Sequence, residues 1–102
     1  MAEPIYKMFL AKFSEAWYQL PQEEQTSLLG NVNEALEKVG GKQVIVCDAS
    51  WAAEPWLVFG VEEFPDIEAA QQHAKLLSEL QWYRYCEATT LLGTAWEPSS
   101  RF

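Results

Sequence analysis

The reading of this chain turns on residues 55–96: PWLVFGVEEF (55–64), PDIEAAQQHAKLLSEL (65–80) and QWYRYCEATTLLGTAW (81–96). Trp56 to Phe64 is apolar and β-prone and predicts a strand. Asp66 then stands where a helix N-cap is needed, directly before a segment of 3.6-residue periodicity. In that segment Ala70, His73, Ala74, Leu77 and Leu80 fall on one face, with Ala69 and Leu76 at its margin, while Glu68, Gln71, Gln72, Lys75, Ser78 and Glu79 lie toward the other. The only histidine of the protein is thereby expected on the buried side of its helix. Trp82 to Leu92 predicts a further long, aromatic strand.

The first half of the chain repeats this order. Ile5 to Phe13 (IYKMFLAKF) predicts a strand with apolar side chains on both faces, the mark of a central position. Ser14 to Leu20 reads as a loop or a short helical turn. Pro21 fits the start of a helix, Glu23 and Glu24 suit its first turn, and Gly40–Gly41 stops it. Lys42 to Ala49 is the second strand, and Ser50 to Pro55 is a turn carrying Trp51.

The resulting order, β-α-β-β-α-β, predicts an α+β ferredoxin-like domain over residues 1–102: a four-stranded antiparallel sheet with two helices on one face. Residues 97–102 read as a polar tail. Strands apolar on both faces leave the second sheet face in need of cover, which a second copy of the chain would supply, so a homodimer is expected. The enclosed space is where a small apolar or aromatic ligand would sit.

Composition narrows the partners. The chain has 102 residues, 49% hydrophobic and 14% aromatic, with a formal net charge of −8. That charge repels phosphate backbones and anionic lipid, so neither nucleic acid nor a membrane is expected as partner. The N-terminal apolar run is broken by Lys7 and Lys12 and reads as neither a signal peptide nor a membrane span. Cys47 and Cys86 each lie in an apolar run and are expected as buried free thiols. Together these features point to a cytoplasmic protein.

On three quoted stretches, WYQLPQEEQ (17–25), FPDIEAAQQHAKLL (64–77) and WYRYCEATTLLG (82–93), the chain resembles the dimeric α+β barrel superfamily, and within it the darcynin family most closely. The wider group holds antibiotic-biosynthesis monooxygenases and YCII-like proteins. The resemblance implies a dimeric barrel and, in the monooxygenase branch, cofactor-independent oxidation or cyclisation of a polyphenol-like metabolite. Many members carry a histidine on the second helix, where His73 stands; in haem-degrading members it ligates iron with an asparagine on the first strand. Here that strand offers Tyr6, Lys7 and Met8 instead.

Several residues are candidates for chemistry. His73 is a candidate general base, or a haem ligand, set against an ordinary packed core histidine. With no second histidine, no metal site is expected, and no cofactor is called for. Strict alternation along the last strand would put Tyr83, Tyr85 and Glu87 on one face, looking into the barrel, with Arg84, Cys86 and Ala88 on the other. Tyr85 and Glu87 join His73 as catalytic candidates; Tyr6, Trp17, Trp56 and Tyr83 are ligand-binding candidates. The competing account of these aromatics is interface packing or plain core closure in a non-catalytic assembly protein. Lys7 and Asp48 interrupt apolar strands, and a buried charge there needs a partner. No nucleophile motif and no phosphate-cradling glycine loop is present.

Overall fold

The structure is a computed structural model that describes residues 3–52 and 55–96; the tail expected at 97–102 lies outside the described residues. In chain order the elements are β1 (Ile5–Phe13), α1 (Glu15–Tyr18), α2 (Gln22–Lys38), β2 (Lys42–Asp48), a 3₁₀ turn (Ser50–Ala52), β3 (Val58–Phe64), α3 (Ile67–Glu79), α4 (Trp82–Tyr85) and β4 (Cys86–Gly93). The strands form one antiparallel sheet in the order β2-β3-β1-β4. Helices α2 and α3 cross on the same side, so the ferredoxin-like βαββαβ arrangement expected from the sequence is present.

Local chemistry sets the helix ends. The side chain of Asp66 accepts a hydrogen bond from the Ala69 N–H at 2.8 Å, satisfying one orphan donor of α3. At the end of α2, Gly40 takes the left-handed conformation with φ +78°. Its N–H donates to Glu37 O at 2.9 Å, and Gly41 N–H donates to Leu36 O at 3.0 Å. That pair of bonds is a Schellman motif, which closes the helix carbonyls internally.

The ladder registers assign the two faces of the sheet. Lys7, Phe9, Ala11 and Phe13 of β1 point to the helices; their β3 neighbours on that face are Glu62, Gly60 and Val58, and Cys86, Ala88 and Thr90 follow on β4. Gly60 is required there, because a Cβ would come within 2.9 Å of the Phe9 ring and 2.5 Å of Ile45 O. The closed part of the core is small and sits at one end of the sheet. Phe64, wholly buried, meets Leu36 of α2 and Ala70 of α3, with Ile5, Val39 and Ala69 packed around them.

Two expectations are corrected. The last strand does not begin at Trp82. Gln81 adopts φ 58°, ψ 32°, and residues 82–85 form the single helical turn α4. The Arg84 N–H closes it onto Gln81 O at 3.0 Å. Ser14 ties the turn to the end of β1, donating from N to Tyr85 O at 3.0 Å and from Oγ to Arg84 O at 2.7 Å. The chain uses this turn to travel from the end of α3 to the sheet edge, so the alternation assumed for Tyr83, Tyr85 and Glu87 does not exist. Second, Ala74 is exposed; α3 buries only the narrower stripe Ala70, His73 and Leu77.

Among the described residues nothing covers the opposite sheet face. It carries Met8, Phe59, Ile45 and Leu91, which are 38%, 41%, 54% and 62% exposed. Ion pairs Lys12–Glu87 (3.9 Å) and Lys42–Glu63 (3.7 Å) flank this apolar strip. Among the described residues no helix is long and apolar enough to cross a membrane.

Because Leu36 fastens α2 to Phe64, Leu36→Ala should cost about 3 kcal/mol in urea unfolding. Leu29→Ala, seven residues earlier on the same helix and 45% exposed, should cost less than about 1 kcal/mol.

Candidate functional site

Beyond Phe64 the helix layer stands away from the sheet. A half-enclosed cavity of about 610 Å³ lies between them, within the size range of small-molecule sites. Its walls are mostly apolar: Phe9, Ala11 and Val46 from the sheet, Leu29, Val32 and Leu36 from α2, Leu77 from α3. Phe13 and Trp82 line one end. Trp17 stacks on Phe13 at 4.4 Å between centroids and meets Trp82 edge-on at 6.2 Å, so it backs this aromatic wall.

Lys7, Glu62 and His73 interrupt the apolar lining, and Lys12 and Asp48 line it toward the other end of the sheet. Lys7 and Glu62 are direct cross-strand neighbours on β1 and β3. Lys7 is buried and Glu62 half-buried. Burial lowers the pKa of Lys7, against the pull of Glu62, which raises it. Burial raises that of Glu62, against Lys7, which lowers it. The two feel each other's charge, yet no ion pair closes between them within 4 Å among the described residues.

His73 is 2% exposed, and its ring rests on Phe64 with centroids 5.1 Å apart. Neither ring nitrogen has a hydrogen-bond partner among the described residues. A buried imidazole ordinarily finds at least one, and this one lines the cavity without it. Burial, and then the Lys7 charge, lower its pKa from 6.5 to about 4. At neutral pH it is therefore an uncharged ring with one donor and one acceptor. Tyr83 and Cys86 stand at the α4 side of the same cavity, and burial raises the pKa of both, that of Cys86 to about 11. The Cys86 thiol is therefore inert.

Of the residues expected to act, the structure brings His73 and Tyr83 to the cavity and leaves the others elsewhere. Glu87 points to the uncovered sheet face, opposite Lys12. Tyr85 lies in the α4 turn beneath the Arg84 guanidinium, 5.7 Å from its ring. Tyr6 belongs to the uncovered face, between Glu63 and Gly93. Trp56 packs under Lys12 at 5.5 Å, and Trp17 stands behind the wall. Asp48, expected to need a charged partner, is solvated instead. It accepts from Ser50 N at 2.9 Å and Ser50 Oγ at 2.6 Å, and these bonds lower its pKa. Cys47 is half-buried and Cys86 buried, both as free thiols.

The residue that sequence reasoning missed is Glu62. Its signal was present: Lys7 demanded a carboxylate, and Val58, Gly60, Glu62 and Phe64 alternate onto one face of β3. Only the ladder register pairs the two. Among the described residues, no three His, Cys, Asp or Glu side chains come together to hold a metal ion.

No family model and no curated protein sequence matches the chain. Solved structures do. A protein of unknown function from Rhodopseudomonas palustris is 15% identical, with a TM-score of 0.69 over 96% of this chain and 86% of its own. A chlorite dismutase mutant from Candidatus Nitrospira defluvii is 18% identical, with a TM-score of 0.75 over 98% of this chain and 44% of its own. A heme-binding protein from Thermus thermophilus is 20% identical, with a TM-score of 0.65 over 99% of this chain and 43% of its own. The chain shares their fold. It spans less than half the length of the last two.

The lone histidine allows a direct test of its environment. Its imidazole proton resonances should titrate with a midpoint near 4, not 6.5. Because the folded-state value is the lower one, the unfolded chain binds the proton first. Stability contributed by the neutral ring is complete above about 6.5 and is lost as pH falls toward about 4. His73→Leu should flatten that part of the stability–pH curve; an unchanged slope would show that the ring is solvated.

Proposed function

We propose that the chain binds a small apolar or aromatic molecule in the cavity between its sheet and helices, and that it does so as a homodimer closed over the uncovered sheet face. One observation carries the binding role: an unpartnered, buried, neutral imidazole in an apolar chamber large enough for a fused-ring ligand. The Phe13–Trp82 wall would stack on such a ligand. The dimer rests on Met8, Phe59, Ile45 and Leu91, an apolar strip that solvent would otherwise meet.

Oxygenase or cyclase chemistry of the kind that the family resemblance implies would draw its base from Glu62. An imidazole with a pKa near 4 is a weak base at neutral pH, whereas a carboxylate pushed upward by burial is a stronger one than usual. Tyr83 would orient the substrate; Tyr85 and Glu87 are placed away from it.

A second reading is haem held through His73. A neutral imidazole with neither nitrogen engaged among the described residues could hold haem iron, and two of the structures that share the fold are described as a chlorite dismutase and a heme-binding protein. Bound there, the iron would supply the redox chemistry, and His73 would be the residue that holds it. Haemin titration should then give a Soret shift that His73→Ala abolishes; no shift removes this reading.

For the principal reading, 2-naphthalenemethanol should bind saturably by calorimetry. Ala88→Phe, which fills the cavity from β4, should weaken it roughly tenfold, or about 1.4 kcal/mol. In sedimentation the protein should run as a dimer and Leu91→Arg as a folded monomer. A wild-type monomer would remove the dimer; absence of binding would remove the ligand role.

A further inference from the structure

The polar side of the cavity has more donors than the described residues satisfy. Lys7 brings an ammonium, and His73 brings one ring N–H whichever tautomer it holds. Neither donates to any protein acceptor among the described residues. Glu62, the cross-strand neighbour of Lys7, stays beyond ion-pair distance. A partly desolvated ammonium favours an anion, and Lys7 lines the half-enclosed cavity.

We infer that the ligand is an apolar molecule bearing one acidic oxygen, a carboxylate or a phenolate, and that Lys7 and the His73 N–H hold this oxygen while Glu62 yields its place as counter-ion of the lysine. This inference rests on the ligand-binding reading above and adds the chemical class. The exchange balances as a proton transfer. A neutral acid enters, its O–H proton passes to a Glu62 carboxylate oxygen, and the resulting oxyanion pairs with Lys7. The chamber keeps one positive and one negative charge before and after. Burial already favours protonated Glu62, and removing Lys7 as its partner favours it further.

The other groups around Glu62 do not compete for that proton. From β1 it faces Lys7. Tyr83 of α4, whose phenol is pushed upward, feels its charge. The neutral His73 of α3 and the Cys86 thiol of β4, raised to about 11, line the same cavity. On β2 its ladder partner is Gln43, and Asp48 lies further along, solvated. The α2 wall contributes Asn33 and aliphatic side chains and no ionisable group.

Three probes on one ring system test this at pH 7: 2-naphthoate, 2-naphthol and 2-naphthalenemethanol. The carboxylate or the phenol should bind about tenfold tighter than the alcohol, and whichever does names the source of the oxygen. Lys7→Met should weaken the preferred probe about tenfold more than it changes the alcohol, so that the preference disappears. If naphthoate is preferred, Glu62→Gln should tighten it, since no second carboxylate then competes for Lys7; if naphthol is preferred, Glu62→Gln should weaken it, since the phenol's proton loses its acceptor. The double variant Lys7→Met/Glu62→Gln removes the pair together and should also abolish the preference, which guards against misfolding of the single change. If naphthoate is preferred, calorimetry in phosphate and in Tris should show about one proton taken up per molecule bound, and none in Glu62→Gln. Equal binding of all three probes, or a preference that survives without Lys7, overturns the inference and leaves the cavity reading standing. Failure of all three to bind overturns both.

Discussion

The closed core joins the two helices to the sheet at one end. There Phe64 packs between Leu36 of α2 and Ala70 of α3. Away from it α2 presents Leu29 and Val32 across open space to Phe9 and Val46. With the closed core at one end of the sheet, the layers stand apart toward the other. The capping bonds of Asp66 and of Gly40–Gly41 fix where each helix begins or ends against this core. The cavity is a consequence of how the layers meet.

That geometry explains why three ionisable groups survive in an apolar layer. Buried in a closed core, Lys7, Glu62 and His73 would each need a partner of their own. In a chamber they share an environment in which the lysine and the glutamate hold each other's charge loosely, while burial and then the lysine keep the imidazole neutral. The site is therefore a polar patch with unspent hydrogen-bonding capacity, backed by aromatic rings. Its shape favours recognition of a molecule with one polar end.

Much of the fold was legible because its signals are local. Asp66, Pro21 and Gly40–Gly41 announce helix boundaries through short-range chemistry, and the apolar, β-prone runs of β1 and β3 announce strands. The start of the last strand was not legible, because aromatic QWYRY carries strand propensity while the chain needs a turn there to reach the sheet edge. Gln81 in the left-handed region is a tertiary requirement that no propensity encodes. For the site, periodicity alone placed His73 inward, and the charge of Lys7 on an apolar strand marked a missing partner. Naming Glu62 as that partner needed the β1–β3 register, which is a long-range fact. Tyr85 and Glu87 were misplaced by the same error that lengthened the strand. Trp17 and Trp56 were noticed for their type, which says that a ring packs somewhere and does not say on what.

The central claim is that an open chamber separates α2 from the sheet and that His73 reaches into it. A crystal structure of the protein purified without added ligand, pressurised with xenon, tests this most directly. The account predicts bounded density between Val32 of α2 and Phe9 of β1, with ordered solvent or a retained molecule in hydrogen-bond contact with His73. Leu29 and Val32 packed directly onto Phe9 and Val46, with no xenon between them and a protein acceptor closed onto the His73 ring, would contradict it.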